Sequence, residues 1–256
     1  MELHCCVICG PGLVRTDNQD NLYVNGVYRE DVTDNSVCKY ADITDDSGLY
    51  AVSDGMGGEK YGELAALEAV SSMGSIDLSA GSQGMARYLI ERNAAICDMM
   101  KEKSGVRIGA TFVGLCINGK RADIINIGDS RLYMLRGRTL KQLSLDHAAV
   151  RQMLELGAIT EEAARKHPDR HMLTQHLGIF PSEMIIEPYT ASTDVEAGDI
   201  FLLCSDGLTD MLDDAEIKAL LETKSSLGEK TAALYIKALK NGGKDNISVL
   251  LVQAAS

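Results

Sequence analysis

Short apolar runs in this chain come in blocks, and the blocks are separated by pairs of helix-like stretches. The runs short enough for strands cover residues 3–9, 22–24, 48–53, 111–117, 122–127, 132–135, 200–204 and 247–252. Helical periodicity or dense charge marks residues 61–73, 85–103, 147–170, 215–222 and 229–239. Strands grouped in this way favour two packed sheets flanked by helices over a regular βαβ alternation. The order therefore predicts an α+β fold.

The middle block has the spacing of an antiparallel meander. Its three runs lie between residues 111 and 135, and we expect turns at Asn118-Gly119 and Gly128-Asp129. The helical stretches 61–73 and 85–103 are expected to lie against one face of a sheet.

The balance of charge and the lack of long apolar segments exclude several classes of partner. The chain carries 25 Lys+Arg against 37 Asp+Glu, a formal charge of -12, which would repel a nucleic-acid backbone. Its first residues lack the basic and apolar regions of a signal peptide, and no run reaches the ~18 apolar residues of a membrane span. We therefore expect a cytoplasmic protein that forms one domain over residues 1–256 and binds neither nucleic acid nor membrane.

The cysteines are typical of buried thiols in a reducing compartment. They are seven, an odd number, and several lie in apolar runs. Cys6 and Cys9 form a CxxC pattern, which could indicate a zinc or redox site, but no second pair follows. An apolar first strand is the simpler interpretation. A thiol or zinc regulator built on Cys5, Cys6 and Cys9 stays open as an alternative.

Four aspartates share one context at the ends of apolar runs. Asp54 and Asp206 each end a run and begin a glycine turn, whereas Asp20 and Asp245 each precede a run. Strand ends can converge on one rim of a packed sheet, where four carboxylates would repel unless cations neutralised them. Hard oxygen ligands favour Mg²⁺ or Mn²⁺ over zinc. An isolated Asp-Gly pair is usually a plain turn, so the recurrence carries the argument.

Seven motifs in order make the chain resemble the metal-dependent serine/threonine protein phosphatases of the protein phosphatase 2C type, in their bacterial form. The matching motifs are Arg15-Thr16-Asp17-Asn18-Gln19-Asp20, Val52-Ser53-Asp54-Gly55-Met56-Gly57-Gly58, Gly109-Ala110-Thr111, Gly128-Asp129-Ser130-Arg131, Asp146-His147, Leu203-Cys204-Ser205-Asp206-Gly207-Leu208 and Gly243-Lys244-Asp245-Asn246. The resemblance implies a four-layer α-β-β-α sandwich of two antiparallel sheets with helix pairs outside. It also implies one catalytic domain, hydrolysis of phosphoserine and phosphothreonine in proteins, and a partner serine/threonine kinase.

The resemblance also implies the ligands of two divalent cations, Mn²⁺ or Mg²⁺. Asp54 would bridge them, the Gly55 carbonyl oxygen would bind the first, and Asp206 and Asp245 would bind the second. Asp20 would orient metal-bound water from the inner or second shell. A water shared by two cations loses a proton readily and attacks phosphorus in line, so no phosphoenzyme is needed.

Arg15 would hold the substrate phosphate, because a guanidinium fork fits two phosphate oxygens. Two positions depart from the family pattern. Gln19 stands where many relatives carry Glu, which makes one water-mediated metal contact neutral. Met56 replaces the histidine of eukaryotic members, so a metal-bound water would have to protonate the leaving group.

Several further residues are expected to serve the architecture. Gly57-Gly58 lacks the lysine of a phosphate-binding loop and would allow a tight turn beside the metals. The motifs 128–131 and 146–147 are interpreted as structural. The histidines at 167, 171 and 176 could shuttle protons, although solvated or capping roles are commoner. Residues from about 148 to 176 match the mobile flap of bacterial relatives, a plausible determinant of substrate choice.

A third cation, which many bacterial relatives bind, is expected to be absent or poorly held. In those relatives it would be bound through an aspartate shortly before the motif matching 109–111. Residues 104–108 offer no carboxylate here, and Arg107 would oppose a cation; Asp206 and Asp210 would have to hold it alone unless Glu102 reaches in. The main rival to an enzyme is an inactive phosphatase-like interaction module, and the presence of the three metal-binding aspartates argues against it.

Overall fold

The computed structural model describes residues 1–56, 61–103 and 105–255. In chain order its strands are β1 Leu3–Gly10, β2 Asn21–Val24, β3 Val27–Tyr28, β4 Cys38–Thr44, β5 Ser47–Ser53, β6 Gly55–Met56, β7 Gly109–Ala110, β8 Phe112–Asn118, β9 Arg121–Ile127, β10 Arg131–Arg136, β11 Thr139–Gln142, β12 Tyr189–Asp194, β13 Ile200–Cys204 and β14 Ile247–Ala254. The helices are α1 Gly62–Ser71, α2 Gly81–Glu102, α3 Ala149–Glu155, α4 Glu161–Arg165, α5 Asp206–Thr209, α6 Asp214–Leu221 and α7 Leu227–Lys240.

Two six-stranded antiparallel sheets form the centre of the fold. One has the order β11-β10-β13-β14-β1-β4, and the other has the order β12-β9-β8-β5-β2-β3. Their facing sides bury one apolar core, which includes Val7, Tyr50, Leu115 and Phe201. Helices α1 and α2 cover the outer face of the second sheet, and α5 to α7 cover that of the first. The predicted α-β-β-α sandwich is therefore confirmed.

The helices on the first sheet begin at signals that are visible in the sequence. Asp213 accepts a hydrogen bond from the Glu216 backbone N–H while the Glu216 side chain reaches back to the Asp213 backbone, and Ser226 and Glu229 repeat this reciprocal pattern. Such capping boxes satisfy backbone donors that the first turn leaves unpaired. They place the starts of α6 and α7.

The predicted meander is wrong at its third strand. β8 and β9 form a hairpin with its turn after Asn118, as expected, and Gly119 there has a φ of 60°. β10 instead crosses to the other sheet and pairs with β13 and β11. Gly128, with a φ of 97°, lies in this crossover rather than in a hairpin turn. Strand length and spacing alone do not distinguish the two connections, because both need a short turn after a buried strand.

The strands that sequence reasoning missed lie mostly at sheet edges. β4 and β11 are the two edges of the first sheet, and β12 is an edge of the second. β4 and β12 alternate between half-buried and exposed positions along their whole length. Edge strands bury little apolar surface, so they carry no apolar run to detect. The helical prediction for 147–170 was also too broad, since only α3 and α4 form there.

The CxxC residues point to opposite sides of β1. Cys9 is buried in the core between the sheets, and Cys6 packs towards the helices on the outer face. Side chains three apart on a strand face opposite ways, so this pair cannot bind one metal ion. All seven cysteines are free thiols. Among the described helices, none combines the length and the apolar character needed to cross a lipid bilayer.

Candidate active site

An acidic cleft of about 550 Å³ opens at one rim of the sandwich. β5 and β13 end there, and β2 and β14 begin there. Arg15, Asp54, Gly55, Asp206 and Asp245, all singled out from the sequence, line the cleft. Asp20 is buried close by, with 1% of its surface exposed. The structure thus brings the six predicted site residues together from four separate segments of the chain.

Asp54 is held by the motif at residues 109–111. Its backbone N–H donates to Thr111 Oγ1 at 3.0 Å, and its carbonyl oxygen accepts from the Thr111 N–H at 2.9 Å. Thr111 Oγ1 also lies 2.7 Å from Ser130 Oγ. Gly55 follows in β6, and its N–H donates to the carbonyl oxygen of Gln19 at 3.2 Å. Four of the sequence motifs therefore meet at the end of β5.

A close backbone contact explains why a glycine, Gly207, follows Asp206. A Cβ at this position would lie 1.9 Å from the Asn246 carbonyl oxygen, so no other residue fits without a backbone shift. Asn246 in turn accepts from the Gln19 N–H at 2.8 Å through its Oδ1 and donates to the Asp17 carbonyl oxygen at 2.8 Å. The close approach joins the Asp206 turn, the Asp245 turn and the loop before β2.

Asp20 is a buried carboxylate that is only half satisfied. Its Oδ2 accepts hydrogen bonds from Ser205 Oγ and Ser248 Oγ, both at 2.7 Å. Its Oδ1 is buried and has no partner among the described residues, and the same holds for Oδ1 of Asp206. Burial raises the pKa of Asp20 to about 7 despite the two serine donors. An unpartnered buried acceptor is costly unless something outside the polypeptide binds it.

Burial and mutual repulsion raise the pKa values of two neighbouring carboxylates. Burial, followed by repulsion from Asp20 and Asp206, raises the pKa of Asp54 well above its usual range. Burial and the nearby Asp206 raise the pKa of Asp129 to about 8. Carboxylates this close can all be ionised only if a bound positive charge offsets their repulsion. The unpartnered oxygens and the all-oxygen donor set of Asp20, Asp54, Asp206 and Asp245 therefore fit hard divalent cations.

Arg15 forms a two-point pair with Asp245. Its Nε donates to Oδ1 at 3.0 Å, and its Nη2 donates to Oδ2 at 2.8 Å. The Arg15 side chain is 56% exposed. The guanidinium therefore already makes, with a carboxylate, the bidentate contact that phosphate oxygens also accept.

Sequence reasoning missed two contributors to the cleft. Asp129, interpreted as part of a structural turn, lines the cleft because β10 crosses between the sheets. His171 reaches in from the flap, with Nδ1 3.5 Å from Asp206 Oδ2 and Nε2 3.3 Å from Asp210 Oδ2. Asp129 could have been found from the sequence, because it belongs to the Gly128-Asp129 motif. His171 could not, because it lies in a charged stretch without a distinctive pattern.

Arg107 does not oppose a cation in the cleft. It pairs with Glu183, at 2.9 Å from its Nη1, and stacks on Phe180 instead. The carboxylate found beside Asp206 comes from Asp129, not from residues 100–110. The premise of the expected weak third site, that Asp206 and Asp210 would stand alone, is therefore wrong.

The remaining motif residues support the cleft. Gln19 Nε2 donates to Glu63 at 3.4 Å, and Met56 lines the cleft wall. Asp146 accepts from Arg131 at 2.6 to 3.1 Å, and His147 Nδ1 accepts from the Gly128 N–H at 3.1 Å. This confirms the structural interpretation of Asp146-His147. The turn predicted at residues 57–58 lies outside the described residues.

Comparison with known proteins agrees with the geometry. A family model described as Protein phosphatase 2C matches residues 23–240. Protein phosphatase PhpP of Streptococcus pneumoniae is 33% identical over 250 residues, which cover 94% of this chain and 93% of that protein. Serine/threonine phosphatase stp of Listeria welshimeri is 32% identical over 251 residues and covers 94% and 92%.

Solved structures show the same fold over the whole chain. The serine/threonine phosphatase PstP/Ppp of Mycobacterium tuberculosis superposes with a TM-score of 0.84 at 28% identity and covers 100% of both chains. The catalytic domain of PstP in complex with two manganese ions gives 0.80 at 27%, again over 100% of both. The family match spans most of the chain, and the motifs lie at one cleft in the same sandwich. The chain belongs to the protein phosphatase 2C family.

Proposed function

We propose that this chain is a metal-dependent serine/threonine phosphoprotein phosphatase and that residues 1–256 act as one catalytic domain. The observation that carries the proposal is the convergence of carboxylates, two of them with buried, unpartnered oxygens, beside an arginine at the mouth of the cleft. An inactive interaction module would have no need to keep such a costly cluster.

The carboxylates are assigned to two divalent cations, Mn²⁺ or Mg²⁺. Asp54 would contact both cations, the Gly55 carbonyl oxygen would bind the first, and Asp206 and Asp245 would bind the second. When bound, the pair would supply an activated water for attack at phosphorus and would neutralise charge on the phosphoryl oxygens. Asp20 would orient that water through its Oδ1, which has no partner among the described residues, while Ser205 and Ser248 hold its Oδ2.

Arg15 is assigned to the substrate phosphate. Its Nε and Nη2 both donate to Asp245 in this structure. Once the Asp245 oxygens serve as ligands, the two Arg15 donors become available for two phosphate oxygens. The guanidinium would then hold the phosphoryl group in line and offset the charge that builds up on it. Its 56% exposed side chain leaves room for a phosphoprotein to approach.

The proposal extends to substrate class, counterpart and location. Phosphorylated proteins are the expected substrates, and a serine/threonine kinase is the expected counterpart in a cytoplasmic signalling role. The flap carries Arg170 and His171 to the cleft edge, so it would contact the peptide around the phosphoresidue.

The test is hydrolysis of p-nitrophenyl phosphate and of a phosphothreonine peptide, with Mn²⁺, with Mg²⁺ and with a chelator. We expect turnover of both substrates with metal and none with the chelator. The Asp206→Asn variant should lose turnover and keep its fold by circular dichroism. Metal-independent hydrolysis, or normal turnover by this variant, contradicts the proposal.

A further inference from the structure

Two loops are fixed against each other beside Arg15 at the mouth of the cleft. The loop after β1 meets the loop before β14, where the Leu13 N–H donates to the Gly243 carbonyl oxygen at 2.7 Å. Gly12, with a φ of 76°, packs so closely that a Cβ there would lie 2.2 Å from the Asp245 carbonyl oxygen. Only glycine fits this position without a backbone shift. The backbone before Arg15 is therefore held against the loop that carries Asp245.

This fixed backbone holds two apolar side chains in solvent. Leu13 and Val14 directly precede Arg15 in the chain, and each is 66% exposed. Apolar residues scattered singly over a protein surface are common and need no explanation. This pair is adjacent, and the close contact at Gly12 opposes any shift of the loop that would bury it. Leu13 and Val14 therefore offer apolar surface next to the residue assigned to the substrate phosphate.

Lys244 adds a positive charge that has no acidic partner. The other cations that line the cleft, Arg15, Arg170 and His171, each lie within 4.0 Å of a carboxylate oxygen. Lys244 is exposed and lies within that distance of no carboxylate among the described residues. Its methylene chain lies over Gly242, where a Cβ would be 3.7 Å from Cγ and 3.8 Å from Cε. The ammonium group is therefore available to an anion at the edge of the cleft.

We propose that Leu13, Val14 and Lys244 bind the substrate polypeptide beside its phosphoresidue and select for apolar and acidic side chains there. The proposal rests on the function proposed above, because it takes Arg15 as the group that holds the phosphate. Consecutive Cα atoms are about 3.8 Å apart, so Leu13 and Val14 lie within roughly 8 Å of Arg15 along the backbone. An extended peptide covers that distance in two or three residues.

The acidic preference is the more diagnostic half of the proposal. The formal charge of -12 and the carboxylates of the cleft would by themselves disfavour an acidic peptide. A preference for such a peptide therefore requires a local cation, and Lys244 is the lining cation without an acidic partner among the described residues.

The experiment compares kcat/KM, with Mn²⁺ present, for three phosphothreonine peptides that carry alanine, leucine or aspartate on both sides of the phosphoresidue. We expect the wild type to favour the leucine peptide over the alanine peptide about fivefold, because part of an apolar side chain becomes buried. It should favour the aspartate peptide roughly twofold to fivefold, the range of exposed ion pairs. Leu13→Ser combined with Val14→Ser should remove only the first preference, and Lys244→Glu only the second.

Two matched variants control for changes elsewhere on the surface. Ile90→Ser replaces an apolar residue of α2 that is 54% exposed and does not line the cleft. Lys224→Glu changes the net charge as Lys244→Glu does, at an exposed lysine outside the cleft. Both controls should keep both preferences.

Hydrolysis of p-nitrophenyl phosphate separates this proposal from the proposed function. This substrate has no peptide, so every variant should hydrolyse it with a kcat/KM within about twofold of the wild type, which also shows that the variants are folded. If the wild type hydrolyses it but lacks either preference, or if a preference survives in its own variant or is lost equally in the controls, the assignment of these residues is overturned and the phosphatase stands. Failure of the wild type to hydrolyse p-nitrophenyl phosphate overturns both.

Discussion

Without divalent cations, this protein should lose stability as the pH rises from 5 to 8. Asp20 has an ordinary pKa of 3.8 that burial raises to about 7 in the fold. The folded state then keeps a proton that the unfolded chain has released, so the stabilisation is present at low pH and lost as the pH rises through about 7. Integration of that difference gives about 2.5 kcal/mol lost between pH 5 and pH 8 from Asp20 alone.

Neighbouring groups modify this value in known directions. Asp129, whose pKa burial raises to about 8, also loses its stabilising contribution as the pH rises. Because Asp206 repels both Asp20 and Asp129, their two contributions do not add in full. His171, whose pKa is raised by the adjacent carboxylates of Asp206 and Asp210, also acts in that sense. His147 acts oppositely, because burial lowers its pKa and its contribution grows as the pH rises towards 6.5. A comparison of variants is therefore sharper than a single pH profile.

The assay is urea unfolding in the presence of a chelator at pH 5, 6, 7 and 8. The matched variant is Asp20→Asn, whose amide oxygen can still accept from Ser205 and Ser248 but cannot ionise. We expect the wild type to lose about 2.5 kcal/mol more than this variant over the range. Addition of Mn²⁺ at pH 8 should restore the wild type, since a ligand of the folded state stabilises it. Parallel profiles for the two proteins would refute the reasoning.

Three further perturbations test the site and its scaffold. Asp245→Asn should abolish hydrolysis and weaken Mn²⁺ binding in calorimetry with the circular dichroism spectrum unchanged; near-normal turnover would contradict its role as a ligand. Arg15→Ala should lower kcat/KM for p-nitrophenyl phosphate, mainly through KM, and should not weaken Mn²⁺ binding, because it removes a competitor for Asp245; parallel loss of metal affinity would contradict this. Gly207→Ala should destabilise the protein by roughly 2 kcal/mol or more in urea unfolding, since its Cβ would lie 1.9 Å from the Asn246 carbonyl oxygen, whereas the control Gly228→Ala meets only a sulfur at 3.8 Å and should cost little; equal costs would contradict the steric argument.

The local motifs were sufficient to predict most of the site. Asp54 and Asp206 could be found because each follows a buried run and precedes a glycine, two signals within a few residues. The close contact at Gly207 shows why the second pattern exists, since only glycine lets the backbone pass Asn246. The α-β-β-α sandwich was predictable for a similar reason, because buried strands and capped helices have strong local patterns.

The sequence by itself determined the family, the layer order and the carboxylates at the strand ends, because those signals lie within short windows of the chain. Only the tertiary structure decided that β10 crosses between the sheets and carries Asp129 into the cleft, that the flap turns His171 towards Asp206, and that Arg15 pairs with Asp245, 230 positions away. Those outcomes depend on which strands share a sheet. Burial of the whole core between the sheets decides that choice, and no short window of sequence contains the core.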